Sequence, residues 1–267
     1  MKKFLSIIAG AALCLSLCSC ASNNAASSDW DYIKNKGTLV AGITYYEPMN
    51  YLDDNGELTG FETEFTKAVC EKLGVEAKFQ VIEWEKKEVE LNSKAIDAIW
   101  NGLTVTEERK ENMAFSTSYI RNKQVVVIKT DNKDKYKDVA SMAGATMCAE
   151  SGSAGESAIK ADATLAENKF IAASAQKDAL MEVKAGTSDI AVIDYVMAKA
   201  SIGEGTDYAD LMIVDSVELM PEEYAVGLRK EDSETLKKIN EAIDALVADG
   251  TLKQLAEKYD LADVFAF

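Results

Sequence analysis

The chain contains no histidine among its 267 residues. Histidine is the commonest general base and metal ligand near neutral pH, so its absence removes every Ser-His and Cys-His catalytic pair. Beyond residue 20 there is no C-x-x-C pair, which argues against a zinc or redox site. No run beyond the N-terminus reaches the roughly eighteen apolar residues that a membrane-spanning helix needs. We therefore expect no metal, no cofactor and no spanning helix downstream of the N-terminus.

Basic side chains are also scarce. Lysine and arginine number 29 against 45 acidic residues, a net charge of −16. Removal of residues 1–19 would take away two lysines and leave 27 basic against 45 acidic side chains, a net charge of −18. Such acidity argues against nucleic acid or an anionic membrane surface as a partner.

The N-terminus is typical of a secreted lipoprotein. Two lysines precede the apolar run 4–17, whose fourteen residues suit a signal peptide better than a membrane span. The run ends in LCSC, which resembles a bacterial lipobox with Cys20 as the diacylated residue. An ordinary secretory peptide with incidental cysteines is the alternative. We expect residues 1–19 to be the signal and 20–36 to be the lipidated cysteine and a flexible tether, which begins with ASNNAASS.

Strand-like and helix-like runs alternate along the rest of the chain. This alternation predicts an α/β fold with mainly parallel sheets flanked by helices. The sequence DDNG at 53–56 predicts a hairpin turn. The predicted strands are 38–43, 77–82, 96–100, 124–128, 146–150, 169–172 and 189–193, and the predicted helices are 61–73, 86–92, 155–161, 175–185, 195–200, 234–249 and 252–259.

The most informative segment is 97–119, DAIWNGLTVTEERKENMAFSTSY. A short apolar strand runs into a polar turn with glycine, and Arg109 follows in a helix-forming run. Ligands bind at strand ends in α/β sheets, and the guanidinium fork of arginine suits a planar carboxylate. The alternative is a surface arginine paired with Glu107 or Glu111.

This segment resembles the signature of the polar amino-acid family of ABC-transporter solute-binding proteins, known as bacterial solute-binding protein family 3. The family pattern is D-x-I-x-x-G-[ML]-[TS]-[IV]-[TS]-x-x-R-x-x-x-[IVM]-x-F-[ST]-x-x-Y. Further matching pieces lie at 37–65, 151–159, 188–194 and 224–259, so the resemblance covers roughly 36–260. Positions that meet the pattern are Asp97, Ile99, Gly102, Leu103, Thr104, Val105, Thr106, Arg109, Met113, Phe115, Ser116 and Tyr119.

The resemblance implies a two-lobed periplasmic-binding-protein-like fold with a two-strand hinge. Lobe one would comprise 37–121 and 224–267, and lobe two 122–223. Closure around a ligand would follow the hinge-bending pattern of such proteins. Because this layout separates Cys70 from Cys148, we expect two buried thiols, with a disulfide as the alternative.

The resemblance also implies how the two charges of an amino acid are held. Arg109 would bind the carboxylate, helped by N–H groups near Leu103 and Thr104. Asp194, at the end of an apolar strand, would accept the ammonium, with the carbonyl of Gly102 as a second acceptor. The alternative for Asp194 is a helix cap.

A third part of this site would be the start of the helix after SGSA. Ser153 and Ala154 lie where free N–H groups and the helix dipole favour an anion. Simple N-capping by Ser153 is the alternative. Family members usually carry Thr or Ser where this chain has Ala154.

The ligand side chain would be read mainly by lobe one. The aromatic candidates for the walls are Tyr45, Tyr46, Trp84 and Trp100. The alternative is that one or two of them, Tyr45 first, pack in the core. Glu47 and Asn101 are polar candidates for contact with the ligand side chain, and the alternative for Glu47 is a position at the rim. The segment GITYYEPMN is one residue shorter than the family pattern, and Met49 replaces its phenylalanine.

Together these features predict a monomeric, membrane-tethered extracytoplasmic lipoprotein that captures an amino acid or a related small zwitterion. It would deliver the ligand to the transmembrane subunits of an ABC permease and would touch the membrane only through its lipid. Two alternatives stay open. One is an enzyme of the same fold that resembles cyclohexadienyl or arogenate dehydratase, and the other is a ligand-sensing lipoprotein.

Overall fold

Two five-stranded sheets organise the chain in the computed structural model, which describes residues 28–267. The helices are α1 Asp29–Lys36, α2 Phe61–Leu73, α3 Lys87–Asn92, α4 Glu107–Asn112, α5 Ala154–Ala161, α6 Gln176–Ala185, α7 Tyr195–Ser201, α8 Ser233–Ala248 and α9 Thr251–Lys258. The strands are β1 Thr38–Ile43, β2 Tyr51–Leu52, β3 Leu58–Thr59, β4 Glu76–Val81, β5 Ala98–Ile99, β6 Met113–Phe115, β7 Ile120–Lys129, β8 Thr146–Glu150, β9 Lys169–Ala173, β10 Ile190–Asp194, β11 Leu211–Tyr224 and β12 Gly227–Arg229. Short 3-10 helices lie at Trp84–Lys86, Thr130–Asn132 and Ala140–Met142.

The first sheet has the strand order β4-β1-β5-β12-β6. Strands β1, β4 and β5 are parallel, and β12 runs antiparallel to its neighbours. Helix α2 turns Phe61, Phe65 and Val69 to the core, the spacing of one helix face. Phe65 packs edge-on against Trp100 and Tyr119, with ring centroids 5.1 and 5.2 Å apart. This aromatic cluster fixes the strand end that carries the motif 97–119.

The second sheet has the strand order β11-β7-β10-β8-β9. Strands β8, β9 and β10 are parallel, whereas β7 pairs antiparallel with both β10 and β11. The run 125–128 is wholly buried in β7, as its β-branched residues predict for a central strand. Helices flank both sheets, and this arrangement confirms the predicted α/β class.

The chain passes between the two sheets twice. It leaves the first sheet after Phe115 and enters the second at Ile120, and it returns between Tyr224 and Gly227. Strands β7 and β11 pair side by side there, with Ile120 opposite Tyr224. Paired connections of this kind permit hinge bending between two lobes.

The first helix corrects the predicted tether. Residues 29–36, expected to be part of a flexible segment, form helix α1. Ser28 caps it by accepting a hydrogen bond from the Asp31 amide at 3.1 Å, and Trp30 and Ile33 pack into the core. Burial of these two apolar side chains, one helical turn apart, outweighs the polar composition. The predicted signal, Cys20 and the first part of the tether lie outside the described residues.

The two cysteines of the described chain are free and buried, which agrees with the predicted pair of thiols. Burial raises the pKa of the Cys70 thiol to about 12 and that of the Cys148 thiol to about 11, so both are unreactive at neutral pH. Among residues 28–267, none of the helices combines the length and apolar character that a membrane crossing requires. The same residues contain no cluster of three or more candidate metal-ligating side chains.

Candidate functional site

Arg109 is buried between the two lobes and is not a surface charge. Thr106 caps helix α4 by accepting a hydrogen bond from the Arg109 amide at 3.1 Å, which directs the side chain inward. Nη1 donates to the Thr104 carbonyl at 2.8 Å, and Nη2 donates to the Gly152 carbonyl at 3.2 Å. Only 8% of the residue is exposed, and Glu107 pairs instead with Lys110. Within the described chain, Arg109 has no carboxylate at ion-pair distance, so a buried positive charge faces the second lobe.

Lys87 is a second buried cation beside Arg109, and the sequence analysis missed it. Its Nζ donates to the Gly152 carbonyl at 3.0 Å and to the Trp84 carbonyl at 3.3 Å, and lies 4.8 Å from the centre of the Trp84 ring. Burial, followed by the charge of Arg109, lowers the pKa of Lys87 to about 8. Two cations from the first lobe thus converge on one carbonyl oxygen of the second. Such a pair is suited to bind an anion.

Asp194 ends strand β10 and faces the same cleft. Asp194 is the N-cap residue of α7 by position, but its carboxylate makes no capping hydrogen bond to that helix. Oδ1 accepts from Asn122 Nδ2 at 3.1 Å and from Gln124 Nε2, and Oδ2 accepts from Gln176 Nε2. The residue is 5% exposed and, within residues 28–267, has no cation at ion-pair distance. Amide dipoles therefore hold a buried acid that is free to receive a cation.

Glu222 is a second carboxyl group beside Asp194. Gln124 Nε2 donates to its Oε1 at 3.0 Å, and Asn122 Nδ2 donates to the same oxygen, so the two acids share both amide donors. Oε2 is buried and has no hydrogen-bond partner in the described chain. Burial and the nearby Asp194 raise the pKa of Glu222 well above its ordinary value. The alternation of Asn122 and Gln124 in an apolar strand was the signal that could have revealed this cluster.

The turn at Gly102 is built around a buried glutamate. The Gly102 amide donates to both oxygens of Glu62, at 2.8 and 3.0 Å, and Tyr119 donates its hydroxyl to the same carboxylate. Gly102 has φ +53°, and a Cβ there would lie 2.5 Å from the Tyr46 ring. Burial raises the pKa of Glu62 to about 7. Glycine is required here because the backbone is left-handed and the Tyr46 ring lies against it.

The neighbouring backbone is held by the return strand. The Leu103 carbonyl accepts from the Ala225 amide at 3.1 Å, and the Val105 amide donates to the Glu223 carbonyl at 2.9 Å. The Leu103 side chain packs in the core of the first lobe, whereas the Thr104 carbonyl orients Arg109. The motif therefore positions the arginine through backbone contacts.

Ser153 caps helix α5, which was the alternative to an anion-binding role for this residue. Its Oγ accepts from the Glu156 amide at 3.1 Å. Ala154 is the buried first residue of α5. The Gly152 amide donates to the Glu156 carboxylate at 2.6 Å, while its carbonyl receives Lys87 and Arg109. Gly152 thus links the two lobes.

One of the four aromatic candidates packs in the core, as the alternative allowed, but it is Trp100 and not Tyr45. Trp100 is wholly buried in the aromatic core of the first lobe, so it does not form a wall of the cleft. Tyr45, for which core packing was the alternative, is 50% exposed. Trp84 lies in the cleft beneath Lys87, and the Tyr46 hydroxyl lies 2.7 Å from the Tyr224 hydroxyl. Asn50 Nδ2 donates to the Trp100 carbonyl at 3.1 Å and to Asn101 Oδ1 at 3.0 Å, which holds the backbone of this strand end.

The structure places the two polar candidates for contact with the ligand side chain, Asn101 and Glu47, in different surroundings. Asn101 uses its amide group internally: Oδ1 accepts from the Thr44 amide at 2.9 Å, and Nδ2 donates to Thr44 Oγ1 at 2.7 Å. Glu47 is exposed and lines a cavity of about 420 Å³ with Tyr45 and Tyr208. Glu47 therefore belongs to the outer rim, apart from the Arg109–Asp194 cluster.

The chain matches known proteins over nearly all of its described length. A family model of bacterial extracellular solute-binding proteins, family 3, matches residues 39–262. The L-cystine-binding protein TcyJ of Escherichia coli strain K12 is 30% identical over 233 residues, which cover 87% of this chain and 86% of that protein.

Two solved structures share the fold. One is an ABC uptake transporter substrate binding protein from Streptococcus pneumoniae with bound histidine (TM-score 0.80, 32% identity, 90% of this chain and 99% of the other). The second is the ancestral amino acid-binding protein AncCDT-1, a precursor of cyclohexadienyl dehydratase (TM-score 0.78, 30% identity, 87% and 99%).

Proposed function

Because the chain belongs to the bacterial extracellular solute-binding proteins, family 3, we propose that it captures one amino acid between its lobes for an ABC importer. Lobe one comprises 37–121 and 224–267, and lobe two comprises 122–223. The observation that carries the proposal is the pair Arg109 and Asp194. Each is buried at the cleft, and neither has an opposite charge at ion-pair distance within the described chain.

A zwitterion matches this pair. Burial of a charge without compensation is very costly, so a cleft that buries both signs favours a ligand that carries both. The carboxylate would meet Arg109, with Lys87 adding positive charge, and the ammonium would meet Asp194. No bond of the ligand is broken, so the role is capture and delivery.

A thermal-shift screen of the purified protein against the amino acids tests the proposal. A ligand at a hundred times its dissociation constant adds about 2.7 kcal/mol to the free energy of unfolding. At least one amino acid should therefore raise the melting temperature clearly. If none does, while the protein unfolds cooperatively, the proposed function is wrong.

A dehydratase-like activity is the alternative enzyme function. The neighbour AncCDT-1 is described both as amino acid-binding and as a precursor of a dehydratase. The relatives named above as binding proteins favour binding alone for this chain. The proposal expects a bound amino acid to be recovered unchanged after long incubation, and formation of a product would contradict it.

Anchoring at Cys20 is a further part of the proposal. Small Ser19 precedes Cys20, and a small, polar segment follows it. Cys20→Ser should release the protein into the soluble extracytoplasmic fraction or leave the signal uncleaved. Cys14→Ser, within the apolar run, is the matched control and should stay membrane-bound. A processed Cys20→Ser protein that still fractionates with membranes would contradict the lipid anchor.

Binding of the ligand should release a proton from Glu222. Burial and Asp194 hold the Glu222 pKa well above its ordinary value in the free protein, so the carboxyl keeps its proton at a higher pH than an exposed glutamate. An ammonium beside the pair favours the ionised form, so the pKa falls on binding and a proton leaves. Affinity should therefore rise with pH between the Glu222 pKa values of the bound and free protein.

Calorimetric titration in two buffers of different ionisation enthalpy counts the released protons. Glu222→Gln cannot ionise but keeps the shape of the side chain, so it should release fewer protons than the wild type. An equal release from both proteins would show that Glu222 is not coupled to the ligand.

A further inference from the structure

Lys199 forms ion pairs between the lobes that the proposed function leaves unused. It lies in helix α7, which packs on strands β7 and β10 of the second sheet. Its Nζ lies 3.2 Å from Asp260 Oδ2 and 3.2 Å from Asp263 Oδ1, and it donates to the Asp260 carbonyl at 3.2 Å. Both aspartates follow helix α9, which packs on α2 and α8 of the first lobe. We call these three residues the clasp, because they join the two lobes outside the Arg109–Asp194 cluster.

The backbone of Asp260 is left-handed, with φ +55°. The Asp260 amide donates to the Glu257 carbonyl at 3.3 Å, and the Leu261 amide donates to the Ala256 carbonyl at 2.8 Å. This pair of hydrogen bonds is typical of a helix that ends with glycine, which adopts the left-handed conformation without the strain that a Cβ adds. The Asp260 side chain is 93% exposed, so no burial offsets the strain. What glycine would lack here is the carboxylate that pairs with Lys199.

The segment that carries the two aspartates is fixed to the first lobe and to the start of β7. Leu261 is 2% exposed and packs in the hydrophobic core. The Arg121 amide donates to the Val264 carbonyl at 2.7 Å, and the Ala266 amide donates to the Tyr119 carbonyl at 3.1 Å. These contacts hold the acids in place on the first lobe, so a movement of the second lobe changes their distance from Lys199.

A cavity of about 250 Å³ lies between the two sides that the clasp joins. Pro48 and Asp260 line it from the first lobe, and Val196 and Lys199 line it from the second. Because its walls belong to different lobes, hinge bending changes the distance between them. The ion pairs of the clasp are therefore made when the lobes lie as close together as they do in this structure.

We propose that the clasp stabilises the closed arrangement of the lobes, and thereby the complex with the amino acid, without contact with the ligand. This inference rests on the proposed function, because the clasp acts on closure around that ligand. An interaction made only in the closed state shifts the equilibrium toward that state and raises the apparent affinity. The carboxylates of the clasp are exposed, so salt screens its contribution.

Calorimetric titration of Lys199→Glu with each amino acid that binds the wild-type protein tests the clasp. An exposed ion pair contributes up to about fivefold in affinity. The variant loses two pairs and adds repulsion between like charges, so binding should weaken about 5- to 30-fold. The loss should shrink in 1 M salt, where the Debye length is about 3 Å. Every ligand should weaken by the same factor, and a factor that differs between ligands would show that Lys199 contacts the ligand and would overturn the inference.

A charge swap and a matched control complete this test. Lys199→Glu combined with Asp263→Lys restores a pair of opposite charges and should regain most of the lost affinity. Lys169→Glu is the control, because Lys169 is an exposed lysine of the second lobe that makes no ion pair within the described chain. Its affinity should stay within about twofold of the wild type. Wild-type affinity in Lys199→Glu, or a double variant no better than the single one, would overturn the inference while the proposed function stands.

Asp260→Gly separates closure from folding. Glycine relieves the backbone strain, so the melting temperature should stay the same or rise, whereas the affinity should fall about two- to fivefold. Lys94→Gly is the matched control: Lys94 is the other non-glycine residue with positive φ in the described chain, at +64°, and it pairs with Asp29. Its affinity should not change. Wild-type affinity in Asp260→Gly would contradict the clasp, and failure of every amino acid to bind the wild type would overturn the proposed function and the clasp with it.

Discussion

Arg109→Ala should weaken amino-acid binding by about 30-fold to several thousand-fold. Removal of one partner of a buried charge pair typically costs about 2–5 kcal/mol, and each 1.4 kcal/mol is about a factor of ten in affinity. The arginine is held by the Thr104 and Gly152 carbonyls and has no competing carboxylate in the described chain. Its charge is therefore available to the ligand. Calorimetric titration with the amino acid that most stabilises the protein measures the loss.

Lys110→Ala is the matched control for this variant. Lys110 follows Arg109 in the same helix but is solvent-exposed and pairs with Glu107 at 2.7 Å. Exposed ion pairs contribute under about 1 kcal/mol, so affinity should change less than about fivefold. Near-wild-type affinity in Arg109→Ala would remove the central residue of the site and leave only the fold.

Asp194→Ala should cause a similar loss for the amino acid and a much smaller one for its des-amino analogue. The wild-type protein should prefer the amino acid, because we propose that its ammonium meets the buried Asp194 carboxylate. In Asp194→Ala the ammonium of the amino acid loses its charge partner. The des-amino analogue has no ammonium, so it loses no such contact. The affinity ratio of the two ligands is therefore the quantity to measure.

The ratio separates ligand recognition from structural damage. Asp194 also accepts hydrogen bonds from Asn122, Gln124 and Gln176, so its loss leaves buried amides unsatisfied. Damage to this network would weaken both ligands alike. If Asp194→Ala weakens both ligands by the same factor, the carboxylate supports the fold of the second lobe and does not meet the ammonium.

Local pattern predicted most of the secondary structure. Helix α2 and strand β8 begin and end at the predicted residues, because a sustained apolar face and a short, mostly apolar run determine them. Helix α1 was missed because only two buried side chains, Trp30 and Ile33, fix it. Strand β11 was missed because acidic residues and Pro221 interrupt its apolar sequence, and its order comes from pairing with β7, which no local pattern reveals.

The site was predicted in part for a similar reason. Arg109 and Asp194 stand in motifs that resemble a known family, and the structure buries both side chains, with Arg109 bonded to the Gly152 carbonyl of the second lobe. Lys87 lies in a lysine- and glutamate-rich segment that is typical of a solvated helix start. Its burial comes from contact with Gly152, 65 residues further along the chain. Contacts of this kind depend on how the lobes meet, so the local sequence does not show them.

The most direct test of the central claim is a crystal structure of the protein with its tightest-binding amino acid. The ligand should lie between the lobes, with its carboxylate on the Arg109 guanidinium and its ammonium on the Asp194 carboxylate. A ligand held instead in the outer cavity lined by Tyr45, Glu47 and Tyr208, with Arg109 and Asp194 untouched, would contradict the account.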